Sequence, residues 1–110
     1  MSQMLAERHN TGKVPMSMVD PLFIQEVARV CAHGAAKYGR DNWLKGQMYS
    51  VVLDSLHRHL AAFELGVDHD AESGCHHLAH AACNLMMLLH YEDSPNKSQY
   101  DDRMYHADRP

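Results

Sequence analysis

Much that would classify a chain quickly is missing from this one. No apolar run approaches the roughly 20 residues that a membrane-spanning helix needs. The opening "MSQMLAERHNTGK" lacks the apolar centre of a secretory leader, so a cytoplasmic chain without a membrane partner is expected. Basic residues are not in excess: ten Lys and Arg face fourteen Asp and Glu, for a net charge of −4 with neutral histidines. That balance argues against a binder of duplex nucleic acid. Three cysteines without a framework spacing point to reduced thiols rather than a disulfide scaffold. Strand-like alternation and internal repeats are both absent. Neither G-x-x-x-x-G-K-[ST] nor G-x-G-x-x-G occurs, which removes the P-loop and Rossmann nucleotide sites, and "HLAH" is not the H-E-x-x-H of a zincin.

What remains is 110 residues, enough for one small domain, with an ordinary apolar share of 45% and an unusual ten histidines. Helix signals are strong. Asp20 followed by Pro21 reads as an N-cap and first helical position, Phe23, Val27, Val30 and Cys31 recur at helical spacing, and Gly39 ends the run. "RDNWLKGQM" reads as a loop, "YSVVLDSLHRHLAAFELG" as a second helix closing at Gly66, and "VDHDAE" as a connector. "AESGCHHLAHAACNLMMLLH" then reads as a third helix, running on to about Tyr91. The expected chain is all-α: an extended arm over 1–19, a three-helix nucleotide-binding domain over 20–92, and a polar tail over 93–110 that is flexible or docked on a partner chain. Helix three is apolar nearly all round and must be covered on every side, so a helical bundle completed by a second chain is expected, as a homo-oligomer.

Polar groups then locate a candidate site. At about 100° per residue, His77, His80 and Asn84 share a narrow sector of helix three. Aligned polar groups on an apolar helix need partners, because an unsatisfied buried one costs about 1–3 kcal/mol. On helix two Asp54, His57, Arg58 and Glu64 share the polar side, while His59 sits at the edge of the apolar side. A ligand groove between His77, His80 and Asn84 and the polar side of helix two, near Asp54 and Arg58, is therefore expected. Asp68, Asp70 and Glu72 precede helix three, where they suit its positive end or bring carboxylates to the groove. The loop "KYGRDNWLKG" supplies cations for phosphate in Lys37, Arg40 and Lys45, stacking surfaces in Tyr38 and Trp43, and a base-reading amide in Asn42. His59, His77 and His80 also suit a transition metal as neutral imidazoles.

The ordered motifs "TGK", "EVARV…HGAAKYGRDNWLKG", "DSLHRHL" and "D-x-D-x-ESG-x-x-HLAHAACN" resemble a phage family, the dATP/dGTP diphosphohydrolase N-terminal domain, over roughly residues 11–91. The resemblance implies phage origin and kinship with MazG-type all-α pyrophosphatases, which cleave a nucleoside triphosphate to monophosphate and diphosphate with magnesium. Those enzymes hold metal with E-x-x-E and E-x-x-D. Here the corresponding helices carry Asp54, His57 and Arg58, and His77 and His80. Under that implication Lys37, Tyr38, Arg40, Asn42, Trp43, Lys45, Arg58, His59 and Asn84 bind a purine nucleotide or a molecule derived from one. Asp54, Asp68, Asp70 and Glu72 place Mg2+ or Mn2+, and His77, His80 and Asp54 act on the attacking water. Two other readings stay open: a binder that sequesters a nucleotide or a host defence signal without cleaving it, and a structural protein whose histidines bond to one another.

Overall fold

The computed structural model describes residues 4–105. Among the described residues the fold has four α-helices: α1 over Pro21–Tyr38, α2 over Tyr49–Glu64, α3 over His77–Glu92 and a short α4 over Lys97–Tyr100. Among the described residues there is no strand, only one isolated antiparallel bridge between His69 and His76. The chain is all-α.

Local chemistry sets the helix ends. The Asp20 carboxylate accepts the Leu22 N–H at 3.0 Å, and Pro21 starts α1 where its missing N–H costs nothing. Gly39, at φ 92°, turns the chain out of α1 while its N–H bonds the Ala35 carbonyl. Ahead of α1, residues 4–15 are exposed and lead into a 3-10 turn at Met16–Met18, while residues 1–3 of the expected arm lie outside the described residues.

Helix three begins later than its apolar composition suggests. Residues 68–76 form a hook instead: the Asp70 N–H bonds the Cys75 carbonyl, the Gly74 N–H returns to the Asp70 carbonyl, and Gly74 takes φ 74°. That positive φ and the two crossing bonds exclude helix before His76, whose own imidazole Nδ1 accepts the Leu78 N–H and caps α3.

α3 packs against both α1 and α2, which explains why one helix is apolar on several sides. Towards α1, Ala79 and Cys83 meet Val30. Towards α2, Tyr91 meets Tyr49 and Val52, with Trp43, Leu88 and Tyr100 around them. Tyr91 has no exposed surface at all. Its hydroxyl donates to the Trp43 carbonyl at 2.6 Å and accepts from Gln47 Nε2 at 2.8 Å, so the α1–α2 loop is pinned to α3 from inside.

The tail expected to be flexible or partner-docked is held on its own chain as far as Arg103, whose guanidinium lies over the Tyr49 ring, while Met104 and Tyr105 are exposed. Asp102 accepts both the backbone N–H and the hydroxyl of Ser50, and the Tyr100 hydroxyl donates to the Lys45 carbonyl. The Tyr100 ring lies over Gly46, where an added Cβ would stand 2.2 Å from it, so only glycine lets the tail close down there. The remainder of the expected tail, 106–110, lies outside the described residues.

Candidate functional site

Three histidines meet between α2 and α3. His59 of α2 and His77 of α3 approach through their Nδ1 atoms at 2.8 Å, and the His80 ring stacks on His59 with centroids 4.3 Å apart and planes 4° from parallel. His77 is buried, and the other two are half-buried. The hook completes the group. Its Asp70 carboxylate Oδ2 accepts both the Ser73 N–H and the Ser73 hydroxyl, at 2.8 and 2.9 Å, and lies 3.8 Å from His80 Nε2.

The Ser73 hydroxyl orders the whole arrangement. Its proton goes to Asp70, and its oxygen accepts the Cys75 N–H at 3.1 Å. The remaining bond, 2.6 Å to His80 Nε2, must then be donated by the imidazole. Neutral His80 is thereby held as the Nε2–H tautomer, with its lone pair on Nδ1. Burial holds both His59 and His80 below the ordinary histidine range, and for His59 the neighbouring imidazoles add to the effect. Asp70 is held below the usual carboxylate range, first by the Ser73 N–H.

His80 also lines a cavity of about 370 Å³ between α1, the 39–48 loop and α3. That volume falls within the range of about 300–1,000 Å³ typical of small-molecule sites. Val30, Cys83 and Met87 form its apolar wall, Trp43 and Tyr38 bring rings, and Arg40, Asn42, Gln47 and His33 bring polar groups. Trp43 is half-buried, stands edge-on to His90 at 5.0 Å and packs against the Tyr49, Val52 and Tyr91 cluster, so it both walls the cavity and packs on the core. Burial pushes the Cys83 thiol up to about 12, with the Cys31 sulfur 4.0 Å away adding to the effect. A thiol so protonated is no nucleophile, and Cys31, Cys75 and Cys83 are all free.

Of the residues singled out by sequence, the structure gathers His59, His77, His80 and Asp70 at the cluster, and Tyr38, Arg40, Asn42 and Trp43 with His80 at the cavity. It does not bring the groove to the polar side of α2. Asp54 and Arg58 are exposed, and Asp54 lies about 140° around the helix from His59, because five residues do not return to the same face. His59, at the edge of the apolar side, takes the place expected for them. Asp68 and Glu72 are exposed and do not join the His59–Asp70–His77 group: Asp68 contributes its backbone carbonyl to the His77 N–H, while the Glu72 carboxylate pairs with Lys37 and His33. Lys37 is thus engaged at the surface, and exposed Lys45 lends its carbonyl to Tyr100. Asn84 Oδ1 is buried without a hydrogen-bond partner among the described residues. Sequence reasoning missed Ser73, His33 and Gln47. A serine one residue before the Gly74 turn was the only available sign of the first.

These features can be set beside known proteins. The family described as "dATP/dGTP diphosphohydrolase, N-terminal" matches residues 5–103, nearly the whole described chain. The chain belongs to this family. A relative named dATP/dGTP diphosphohydrolase, from Salmonella phage PMBT28, is 44% identical over 103 residues, which is 94% of this chain and 34% of the relative. The chain therefore spans about a third of that relative's length. No solved structure matches it. Membership agrees with the resemblance carried by the "HGAAKYGRDNWLKG" and "HLAHAACN" motifs, and both fall on cavity walls or the histidine cluster. The donor set of that cluster is a poor match for the magnesium the resemblance implies. Hard magnesium wants oxygen in near-octahedral order, whereas two imidazoles here face one carboxylate.

Proposed function

We propose that this dATP/dGTP diphosphohydrolase-family chain binds a deoxypurine nucleoside triphosphate in the cavity beside His80 and cleaves it to monophosphate and diphosphate. The observation that carries the reading is the joining of one apolar, ring-walled cavity to an ordered, neutral imidazole. Trp43 and the Met87 side suit a base, and the Asn42 and Gln47 amides suit its edge. Arg40 is 91% exposed beside Asp41 and free to swing onto phosphate. Water is the nucleophile in this reading. It attacks the α-phosphorus, His80 takes its proton, and the bond to the oxygen bridging to the β-phosphorus breaks, so that diphosphate leaves with that oxygen. The place of action in this reading is the host cytoplasm, and no helix among the described residues is long and apolar enough to cross a membrane.

Sequestration without cleavage is the second reading, favoured by Asp70 being, among the described residues, the only carboxylate grouped with His59 and His77. Incubating the chain with dATP, dGTP and a ribonucleotide panel, then separating products by anion exchange, distinguishes the two. Monophosphate with diphosphate is the expected result. Intact nucleotide carried with the protein supports sequestration, and nucleotide that neither binds nor breaks overturns both. Trp43→Ala is expected to weaken nucleotide binding by about 5- to 150-fold, the scale of one lost stacked base. Calorimetric titration showing unchanged affinity per folded molecule would make Trp43 a core plug alone.

Assembly is part of the same proposal. Leu78, Leu85 and Leu89 form an exposed stripe on α3, and Leu22, Phe23 and Ile24 stand exposed at the start of α1. A second copy covering these faces is expected. Sedimentation equilibrium should give a mass well above the 12.5 kDa of one chain, and a stable monomer at micromolar concentration would refute it.

A further inference from the structure

We propose that His59, Asp70 and His77 hold one divalent first-row transition-metal ion. One nitrogen of each imidazole and one Asp70 oxygen lie within 4.8 Å of one another, brought from α2, the hook and α3. The Nδ1 atoms of His59 and His77 are 2.8 Å apart, so in the metal-free chain one of them carries the hydrogen and donates it to the lone pair of the other. Two nitrogens each at about 2.0–2.1 Å from an ion and at right angles to one another are about 2.9 Å apart, nearly the same separation. The metal-free cluster thus already has the spacing of two adjacent ligands.

The surrounding groups are arranged as an outer shell. Ser73 fixes Asp70 through two bonds that both fall on Oδ2, so neither engages Oδ1. His80 backs His59 by stacking and is itself anchored on Ser73. The hook is clamped at both ends of its turn, by the Asp70–Cys75 backbone bond and by the His77 N–H to the Asp68 carbonyl. Such supports orient ligands and commonly matter about 10- to 100-fold for affinity. Two imidazoles and one carboxylate select a softer, borderline ion over magnesium or calcium. A bound ion would supply positive charge for phosphoryl oxygens. The proposal deepens the hydrolase reading but is tested without nucleotide, so the two can fail separately.

The test is calorimetric titration of the chelator-treated full chain with MnCl2, CoCl2, ZnCl2 and MgCl2 separately, with the absorption spectrum recorded for cobalt. One transition ion per chain is expected, with magnesium at least about 100-fold weaker. Asp70→Asn and His59→Ala should each lower affinity at least tenfold, and Ser73→Ala should lower it about 10- to 100-fold. His57→Ala, on the outer face of α2, should bind as wild type. Circular dichroism identifies any variant that fails to fold, and the wild-type titrations decide on their own if one does. Absence of a stoichiometric transition ion, magnesium binding as tightly, or undiminished binding by folded Asp70→Asn would each overturn the site.

Discussion

Replacing His80 with alanine is expected to lower nucleotide turnover by about 10²- to 10⁴-fold, the usual worth of a positioned general base. The helices should stay folded. His80 lines the cavity, and its loss leaves Ser73 still donating to Asp70 and accepting from the Cys75 N–H. Only one acceptor position on Ser73 is vacated, beside an opening that water can enter, so a stability cost of about 1 kcal/mol is expected. The pH dependence supplies a second readout. His59 and His80 titrate below their ordinary value in the folded chain because burial penalises their charged forms. The unfolded chain therefore binds protons first as pH falls. Their contribution to stability is complete above about pH 6.5 and is lost on acidification from there through the lowered folded values. Turnover should fall over the same range as His80 takes up its proton. Thermal unfolding at pH 7.5 and 5.5 should show a smaller acid loss for His80→Ala than for wild type. Strong destabilisation with wild-type turnover per folded molecule would show that the histidines serve only one another.

How far the sequence foretold this arrangement depends on which force acts at each residue. The Asp20–Pro21 start, the Gly39 stop and the His77–His80 stripe were readable because capping and helical periodicity are local. The late start of α3 was hidden, because the hook depends on bonds between Asp70, Gly74 and Cys75 that outweigh helix propensity in an otherwise helix-like segment. Asp54 and Arg58 were misplaced for a different reason. Charge suggested which face of α2 should meet the ligand, whereas burial of Val52 and Leu56 against the core chose the opposite face and carried His59 inward with it. The tail was read as flexible or docked on a partner chain, from its polarity and lack of periodicity. Its hold comes from Asp102 on Ser50 and Tyr100 over Gly46, contacts across more than fifty residues that no local pattern records.

The largest stability effect is expected at Tyr91, and two substitutions there separate packing from positioning. Tyr91→Ala removes a ring with no exposed surface from between Tyr49, Trp43 and Tyr100. Aromatic-to-alanine changes in cores cost about 3–5 kcal/mol, against a total of about 5–15 kcal/mol for a native domain. Much of the chain should then be unfolded at 37 °C, seen as a drop in melting temperature and lost helical dichroism. Tyr91→Phe keeps the ring and deletes only the hydroxyl. The Trp43 carbonyl and the Gln47 amide each lose a partner, for about 1–3 kcal/mol. Both residues line the cavity, so the isosteric change should also loosen its wall. Affinity for nucleotide should fall in Tyr91→Phe although the Tyr91 hydroxyl is turned into the core and lies outside the cavity lining. Chemical denaturation and nucleotide titration on the folded protein measure the two effects apart. A Tyr91→Phe chain that loses stability yet binds like wild type would show that the loop holds its shape without this anchor.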